Sequence, residues 1–177
     1  MSYIYRQMSI MTKIERSGLN KMEKEFKTFL KRIAPKESVE SLISGLTFRQ
    51  FFSHRMLVVT AIRQGVTQSF FMSIKEATPF SEVEWSDFLD ISIKSLQRYK
   101  KDKNHVFKSI HSEKIIELAE VNSMGLDVFD SSDKFSLWLN TPSYALGSMR
   151  PLELLRDSYG KEIVMNELNR IDQGVFV

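Results

Sequence analysis

Between Ser92 and Asn104 the chain carries a dense group of residues that can bind nucleic acid. Five of these positions are lysine or arginine, and the single acid is Asp102. Arginine, glutamine and serine can hydrogen-bond to base edges, and lysine can pair with phosphate. The residues expected to contact DNA are Ser92, Lys94, Ser95, Gln97, Arg98, Lys100 and Lys101. An exposed basic helix face without a nucleic-acid partner is the alternative that charge alone leaves open.

The surrounding elements are predicted to present this segment as the second helix of a helix-turn-helix. Ser81 precedes two glutamates and is expected to cap a helix over 82–89. Asp90 belongs to the turn, and Ser92 is expected to cap a helix over 93–101. In a helix-turn-helix the second helix enters the major groove with its N-terminal residues on the bases. The residues expected on the base side are Ser92, Lys94, Ser95 and Arg98.

Other polar residues form no pattern typical of catalysis or metal binding. The three histidines are scattered, and cysteine is absent. Asp127, Asp130 and Asp133 lack the glycine and the terminal glutamate of a calcium loop, so they are expected to end one helix and begin the next. No nucleophile elbow or glycine-rich phosphate loop is found. We therefore expect no enzyme activity, no cofactor and no metal.

The composition indicates a folded protein whose charge is unevenly distributed. Hydrophobic residues make up 42% of the 177 positions and aromatic residues 11%, which is enough for a packed core. The net charge is +3, but residues 1–65 hold 12 Lys and Arg against 5 Asp and Glu, whereas residues 105–177 hold 7 against 11. This asymmetry favours different partners for the two ends, although an ordinary solvated surface explains it equally well.

Nothing in the sequence predicts a membrane protein. The longest apolar run, over 56–59, is far too short to span a bilayer. The first residues lack the continuous apolar stretch and the small-residue cleavage site of a signal peptide. A cytoplasmic location is therefore expected.

Helical spacing and capping residues predict an all-α fold. The N-terminal 35 residues are expected to form a basic arm or an irregular helix, and 38–46 a short helix, whereas 48–62 leaves helix and strand open. Further helices are expected over 66–76, over 113–129 with Ser112 as cap, and after Ser132. The residues expected on inner faces are Phe26, Phe29, Leu30, Ile33, Phe70, Phe71, Ile74, Val83, Phe88, Leu89, Ile115, Leu118, Ala119, Leu126, Phe129, Phe135, Trp138, Leu139, Leu152 and Leu155.

The segment from Phe135 onward has the clearest helix boundaries. Pro142 is expected to stop one helix and Pro151 to begin another. Ser158 is expected to cap a final helix and Gly174 to end it. The apolar stripe of that helix consists of Val164, Leu168, Ile171 and Val175. The sequence closes on Val-Phe-Val, which is expected either to pack on the protein or to be held by a partner.

This segment resembles the C-terminal domain of the Xre/MbcA/ParS-type antitoxins, the partners of RES-domain toxins. The matching residues are Trp138-Leu139-Asn140-Thr141-Pro142, Ala145-Leu146-Gly147, Pro151-Leu152-Glu153-Leu154-Leu155, Gly160 and Arg170-Ile171-Asp172-Gln173-Gly174-Val175-Phe176. Ser148 stands where a second glycine is usual, and Ser158 where threonine is common. The similarity is weaker over 61–134, where Leu89-Asp90-Ile91-Ser92 takes the place of Leu-Gly-x-Ser.

The resemblance implies an antitoxin with two linked activities. Its C-terminal domain is expected to dock on a RES-domain toxin and to fill the NAD-binding cleft of that toxin. Its helix-turn-helix is expected to bind operator DNA and repress its own promoter. The residues expected to bind toxin are Asn140, Thr141, Pro142, Arg170, Gly174, Val175, Phe176 and Val177. Asn140 and Thr141 have a second interpretation as an ordinary helix-ending turn.

The predicted organisation has three parts. They are an N-terminal basic arm or dimerisation region (1–60), a helix-turn-helix domain (61–104) and a toxin-binding domain (105–177). A homodimer is expected, because a two-fold protein matches a palindromic site. Two alternatives remain, namely a stand-alone helix-turn-helix regulator without a toxin, and an interaction module that no longer contacts DNA.

Overall fold

The computed structural model describes residues 13–33 and 45–174. Within these ranges the regular elements are helices, joined by two isolated β-bridges, Thr67–Val106 and Ser143–Met149. The predicted all-α class is confirmed. In chain order the elements are α1 (Lys13–Ile33), α2 (Phe48–Phe51), α3 (Arg55–Gln64), α4 (Gln68–Ala77), α5 (Glu82–Phe88), α6 (Ile93–Lys101), α7 (Ser109–Phe129), α8 (Ser132–Asn140), a 3-10 turn (Tyr144–Leu146), α9 (Pro151–Leu154) and α10 (Ser158–Asp172).

Helix α1 packs against α4 through phenylalanine rings. The four apolar residues predicted on its inner face are buried. The ring of Phe29 stacks on Phe70 of α4 with centroids 4.7 Å apart, and Phe26 meets Phe48 of α2 edge to face at 5.2 Å. The segment predicted as an arm or an irregular helix is therefore, over Lys13–Ile33, a regular helix joined to the core. Apart from Gly45 and Leu46, the short helix predicted over 38–46 lies outside the described residues.

The stretch for which the sequence left helix and strand open forms α2 and α3. Its polar interruptions fall at helix ends. The Thr47 hydroxyl accepts the Gln50 N–H at 3.3 Å, and the Gln50 side chain accepts the Thr47 N–H at 3.0 Å, which makes a capping box. His54 is the N-cap of α3. Gln50 therefore bonds to a backbone N–H at a helix end, and His54 lies at the start of the next helix.

The caps predicted for α5 and α6 are confirmed. The Ser81 hydroxyl accepts the Glu84 N–H at 3.2 Å, and a Glu84 carboxylate oxygen accepts the Ser81 N–H at 2.6 Å. Ser92 accepts the Ser95 N–H at 3.1 Å. Between the two helices Asp90 has a φ of 50°, the left-handed conformation that glycine adopts at lower cost.

One core assignment on α5 is wrong. Val83 is 55% exposed, whereas Phe88 and Leu89 are buried. The inner face also contains Trp85, which is fully buried and meets Phe71 edge to face at 5.2 Å. Trp85, Phe88 and Leu89 share the inner face of α5. Val83 lies two residues before Trp85, which places its side chain on the opposite, solvent-facing side of the helix.

Helix α7 begins earlier than predicted, which changes the role of Ser112. Ser112 is not a cap, because it lies inside the helix and is fully buried. Its hydroxyl accepts the Val66 N–H at 2.8 Å and donates to the Phe107 carbonyl at 3.1 Å. Phe107, just before α7, is also buried and donates its own N–H to the Val66 carbonyl at 2.8 Å. The chain before α7 is therefore fixed to the start of α4.

Helix α7 lies at the centre of the fold and packs on α3, α8 and α10. One buried core runs from Met22 to Leu168. Glu120 of α7 pairs with Lys161 of α10 at 2.5 Å and with Arg55 of α3 at 3.6 Å. A further ion pair joins Arg156, just before α10, to Asp87 of α5 at 3.5 Å. Helices from all parts of the described chain are thus connected through a shared core and ion pairs.

We predict that Gly125→Ala destabilises the protein by about 1–3 kcal/mol, because a Cβ on α7 would collide with the Phe135 ring of α8. Gly45→Ala is the matched control, since a Cβ there meets no atom within 4 Å. Urea unfolding of both variants measures the difference. Equal free energies of unfolding would show that Phe135 can move aside.

Candidate functional site

Helix α6 presents a basic face and is held in place by its opposite side. Lys94, Gln97, Arg98 and Lys101 recur at helical spacing and are all exposed. Leu96 is completely buried on the inner side. The helix therefore packs on the protein through Leu96. The side chains that remain available for a partner are those of Lys94, Gln97, Arg98 and Lys101.

The other predicted DNA-contacting residues make contacts within the protein. Ser92 is the N-cap of α6, and its hydroxyl donates to the Ser95 hydroxyl at 3.0 Å. Lys100 has a side chain only 25% exposed, which pairs with Glu82 of α5 at 3.3 Å. The Lys100 carbonyl accepts a hydrogen bond from the Gln68 side chain at 2.7 Å. Lys100 thus ties α6 to both α5 and α4.

Beside the basic face lies a stack of rings that the sequence pattern did not single out. The Arg98 guanidinium lies 5.3 Å from the centre of the Tyr99 ring. Tyr99 stacks on His105 with centroids 3.9 Å apart and an interplanar angle of 9°. His105 in turn meets buried Phe107 edge to face at 4.7 Å. Tyr99 is the residue after Arg98, and its position in the sequence gives no indication of this stack.

Burial shapes the charge state of the two histidines near this stack. Burial lowers the pKa of His105; Asp102 opposes this effect, whereas His111 and Arg98 add to it. Burial also lowers the pKa of His111, and Lys108 contributes. Both imidazoles are therefore biased towards the neutral form, so the positive charge of this region comes from lysine and arginine.

The turn after α8 contains the first group of predicted toxin-binding residues. Asn140, Thr141 and Pro142 are exposed. The Asn140 amide donates to the Ser136 carbonyl at 2.9 Å, and the Thr141 hydroxyl donates to the Leu137 carbonyl at 2.8 Å. The helix ends at Asn140, as Pro142 predicts. Both polar side chains therefore close the helix end while remaining at the surface.

Helix α8 itself begins differently from the prediction. Its cap is Ser131 instead of Ser132, and the Ser131 hydroxyl accepts the Lys134 N–H at 3.4 Å. Phe135 and Leu139 are buried, and Trp138 is partly buried against the core. The two adjacent serines have equal capping ability, so sequence alone could not separate them.

A tight turn follows, closed by hydrogen bonds between Ser143 and the chain after the 3-10 turn. The Ser143 N–H donates to the Met149 carbonyl at 3.0 Å, and the Ser148 N–H donates to the Ser143 carbonyl at 2.9 Å. Gly147 has a φ of 66° and Ser148 a φ of 62°. Serine adopts this left-handed region at a higher free-energy cost than glycine.

Apolar side chains are exposed around this turn. Tyr144 is 90% exposed, Leu137 69% and Met149 44%. The sequence offered one indication, because Leu137 is out of phase with Phe135 and Leu139 on α8. These exposed apolar side chains make the turn a candidate protein-binding surface.

The start of α10 requires a correction. Its cap is Asp157, whose carboxylate accepts the Gly160 N–H at 2.7 Å, and Ser158 is the first helical residue. The Ser158 hydroxyl instead donates to Glu117 of α7 at 2.8 Å. A Cβ at Gly160 would collide with the Leu154 carbonyl, so this position permits close approach of α9 and α10.

The end of α10 contains the second group of predicted toxin-binding residues. Arg170 pairs with Glu167 at 2.8 Å, and exposed Gly174 has a φ of 70°. The predicted residues Val175, Phe176 and Val177 lie outside the described residues. Helix α10 packs against the 3-10 turn, which follows the first group in the chain. No hydrogen bond or ion pair joins the two groups within the described ranges.

Carboxylates gather where α7 and α10 end. Asp127 pairs with Arg49 of α2 at 2.5 Å. Burial nevertheless raises the pKa of Asp127 to about 6, because the attraction of Arg49 is outweighed and Asp172 and Asp130 add repulsion. Asp130 is the left-handed C-cap of α7, as expected of a helix-ending residue. Among the described residues no cluster of three or more His, Cys, Asp or Glu is arranged to hold a metal ion.

We predict that Asp127 makes the protein more stable as the pH falls from 7 towards 4.5. Between the ordinary pKa of 3.8 and the folded value of about 6, the folded state binds a proton that the unfolded state does not. Relative to Asp127→Asn, the wild-type free energy of unfolding should therefore rise by about 1 kcal/mol, after allowance for solvent screening. Urea unfolding at several pH values measures this difference. A difference independent of pH would refute the shifted titration.

Among the helices in the described ranges, none is both long and apolar enough to cross a membrane. Residues 124–174 match the family described as antitoxin Xre/MbcA/ParS C-terminal toxin-binding domain. The chain is also 26% identical over 127 residues to the Prs ADP-ribosylating antitoxin of Sphingobium sp. (strain YBL2), an alignment that covers 67% of this chain and 79% of that protein. That alignment is longer than the matched domain, so the similarity extends into the preceding helices. The predicted resemblance is confirmed: both matches support similarity to the Xre/MbcA/ParS-type antitoxins, and residues 124–174 match the toxin-binding domain of that family.

Proposed function

We propose that this protein is an antitoxin that neutralises a cognate RES-domain toxin by covering the toxin's active site with its C-terminal domain. The observation that carries the proposal is the match of residues 124–174 to a toxin-binding domain. The name of the Sphingobium relative links an antitoxin to Prs ADP-ribosylation, which favours a toxin that transfers ADP-ribose from NAD over one that only degrades NAD. In this proposal the reaction belongs to the toxin, and this chain contributes no catalytic group.

The surface of the C-terminal domain suits this role. Apolar Tyr144 and Leu137 are exposed next to the turn at Asn140, and α10 packs on the same region. The chain leaves α10 through exposed Gly174. The apolar segment that follows Gly174 could then fill a pocket of the toxin. We assign this plug to Val175, Phe176 and Val177, supported by Arg170.

A second function, operator binding by α6, is favoured by a specific observation. Lys94, Gln97, Arg98 and Lys101 are exposed on one face, and none of them forms an ion pair within the described part of the chain. Uncompensated cations favour phosphate, and the N-terminal half of such a helix can reach base edges. We propose that a homodimer places two such helices on a palindromic operator and represses the chain's own promoter.

The proposed division keeps residues 61–104 as the DNA-binding domain and 105–177 as the toxin-binding domain. The packing of α1 on α4 supports joining the first described helix to the DNA-binding side. The dimer interface is then proposed to involve residues 1–60. A stand-alone regulator without a toxin remains the alternative, and the experiments below separate the two.

We predict that co-expression with the neighbouring open reading frame reveals a toxin that only the complete chain neutralises. Growth and pull-down are measured with the full-length chain, with a chain ending at Gln173, and with Arg98→Ala as a control that keeps the tail. The full chain and Arg98→Ala should bind and rescue, whereas the shortened chain should not, provided that it melts at the same temperature. Rescue by the shortened chain would refute the plug. A neighbour that neither kills cells nor co-purifies would support the stand-alone regulator.

We predict that Lys94→Ala and Arg98→Ala each weaken binding to the chain's own promoter DNA by about 1–3 kcal/mol for each lost base contact. Fluorescence anisotropy at fixed salt measures the affinity. Lys134→Ala, an exposed lysine on α8, is the control and should bind like the wild type. Unchanged affinity in all three variants at low salt would rule out operator binding by α6.

A further inference from the structure

We propose that Tyr99 and His105 are positioning residues that hold the Arg98 side chain ready for base recognition. This inference rests on the proposed operator binding by α6. It adds two residues that the basic pattern does not contain and that would not touch the base themselves. Their role would be to fix where the guanidinium lies before DNA arrives.

The first step is the contact of Arg98 with an aromatic face. The guanidinium lies 5.3 Å from the Tyr99 ring centre, which is within the range of a cation–π interaction. Arginine has a long, flexible side chain, and ordering it on binding costs conformational entropy. A guanidinium already resting on a ring face loses less of that freedom when it reaches a guanine.

The second step is the support behind Tyr99. The Tyr99 ring also stacks on the His105 ring, with centroids 3.9 Å apart and nearly parallel planes. Phe107, which is buried, meets Tyr99 at 5.8 Å and His105 at 4.7 Å, both edge to face. The Tyr99 ring is therefore packed between neighbours instead of being free to follow the arginine.

The third step is that the backbone fixes His105 in two directions. Its N–H donates to the Asp102 carbonyl at 3.0 Å, and its carbonyl accepts the Gln68 N–H at 2.9 Å. Gln68 also donates from its side chain to the Lys100 carbonyl at 2.7 Å. These hydrogen bonds join the C-terminal end of α6 to the N-terminal end of α4, next to the stack of Tyr99 on His105. Arg98 is connected through the rings of Tyr99 and His105 to the junction between α6 and α4.

The test is a double-mutant cycle on operator binding. Tyr99→Leu should lower operator affinity about fivefold to tenfold when Arg98 is present and should have little effect in the Arg98→Ala background. Tyr99→Phe keeps the ring and should stay within about twofold of the wild type. His105→Ala, which removes the support but keeps Tyr99, should weaken binding in the same direction as Tyr99→Leu.

Two readouts separate positioning from general damage. Loss of Lys101 should weaken binding equally in the wild-type and Y99L backgrounds, because the ring and cation–π contacts of the stack do not involve Lys101. The ratio of operator to unrelated DNA affinity should fall in Tyr99→Leu, while the slope of affinity against salt should not change, since no phosphate contact is lost.

The outcomes are distinguishable from a failure of the proposed function. If Arg98→Ala weakens binding while Tyr99→Leu and His105→Ala do not, operator binding stands and the positioning role is refuted. If the effects of Tyr99→Leu and Arg98→Ala simply add, the coupling is absent and the inference is also refuted. If the wild type does not bind its promoter DNA, both the proposed operator binding and this inference are overturned.

Discussion

The hydroxyl of Ser112 fixes the relation between the helices that carry the candidate DNA-binding face and the rest of the protein. It is fully buried, and it satisfies both the Val66 N–H and the Phe107 carbonyl. A buried backbone group without a partner costs about 1–3 kcal/mol, so few alternative arrangements of this junction are accessible. The start of α4, the chain before α7 and α7 itself must therefore keep one geometry. The ring stack beside α6 is built on that junction through His105 and Phe107.

From this junction α7 extends to the C-terminal domain, so the two candidate surfaces belong to one continuous body. Ser112 lies in the N-terminal half of α7. Phe135 of α8 packs at Gly125 and Phe129 in its C-terminal half, and α10 contacts it at Glu117 and Glu120. The contacts with α10 include both apolar packing and the partly buried ion pair between Glu120 and Lys161. The family match begins at residue 124, within α7. The start of the matched region therefore lies inside a packed helix and does not coincide with a break in the core.

Local rules predicted the helices well, and contacts between distant residues explain where they failed. Ser81 and Ser92 cap as predicted, because a cap bonds to a backbone N–H only three residues away. Ser112 was predicted as a cap for the same reason, but its partners lie at Val66 and Phe107, and Val66 is distant in sequence. Ser158 was also predicted as a cap, but Asp157 caps the helix and the Ser158 hydroxyl donates to Glu117.

The candidate sites show the same division. The basic face of α6 follows from helical spacing, whereas the stack of Tyr99 on His105 depends on a turn that brings the chain back. The exposed apolar residues around the turn at Ser143 follow from tertiary burial, which spacing alone does not give. The predicted plug at Val175, Phe176 and Val177 lies outside the described residues and stays a prediction.

The position of Glu120 between Lys161 and Arg55 has a consequence for how the protein comes apart. Detaching α10 would remove Lys161, which lies 2.5 Å from Glu120, and leave that carboxylate with the more distant Arg55 at 3.6 Å. It would also expose Val164 and Leu168, both fully buried. Opening of the last helix therefore costs a free energy closer to global unfolding than to fraying. Amide hydrogens of α10 and α7 should then exchange with solvent as one cooperative unit. Proteolysis that requires opening of α10 should occur mainly from a largely unfolded chain.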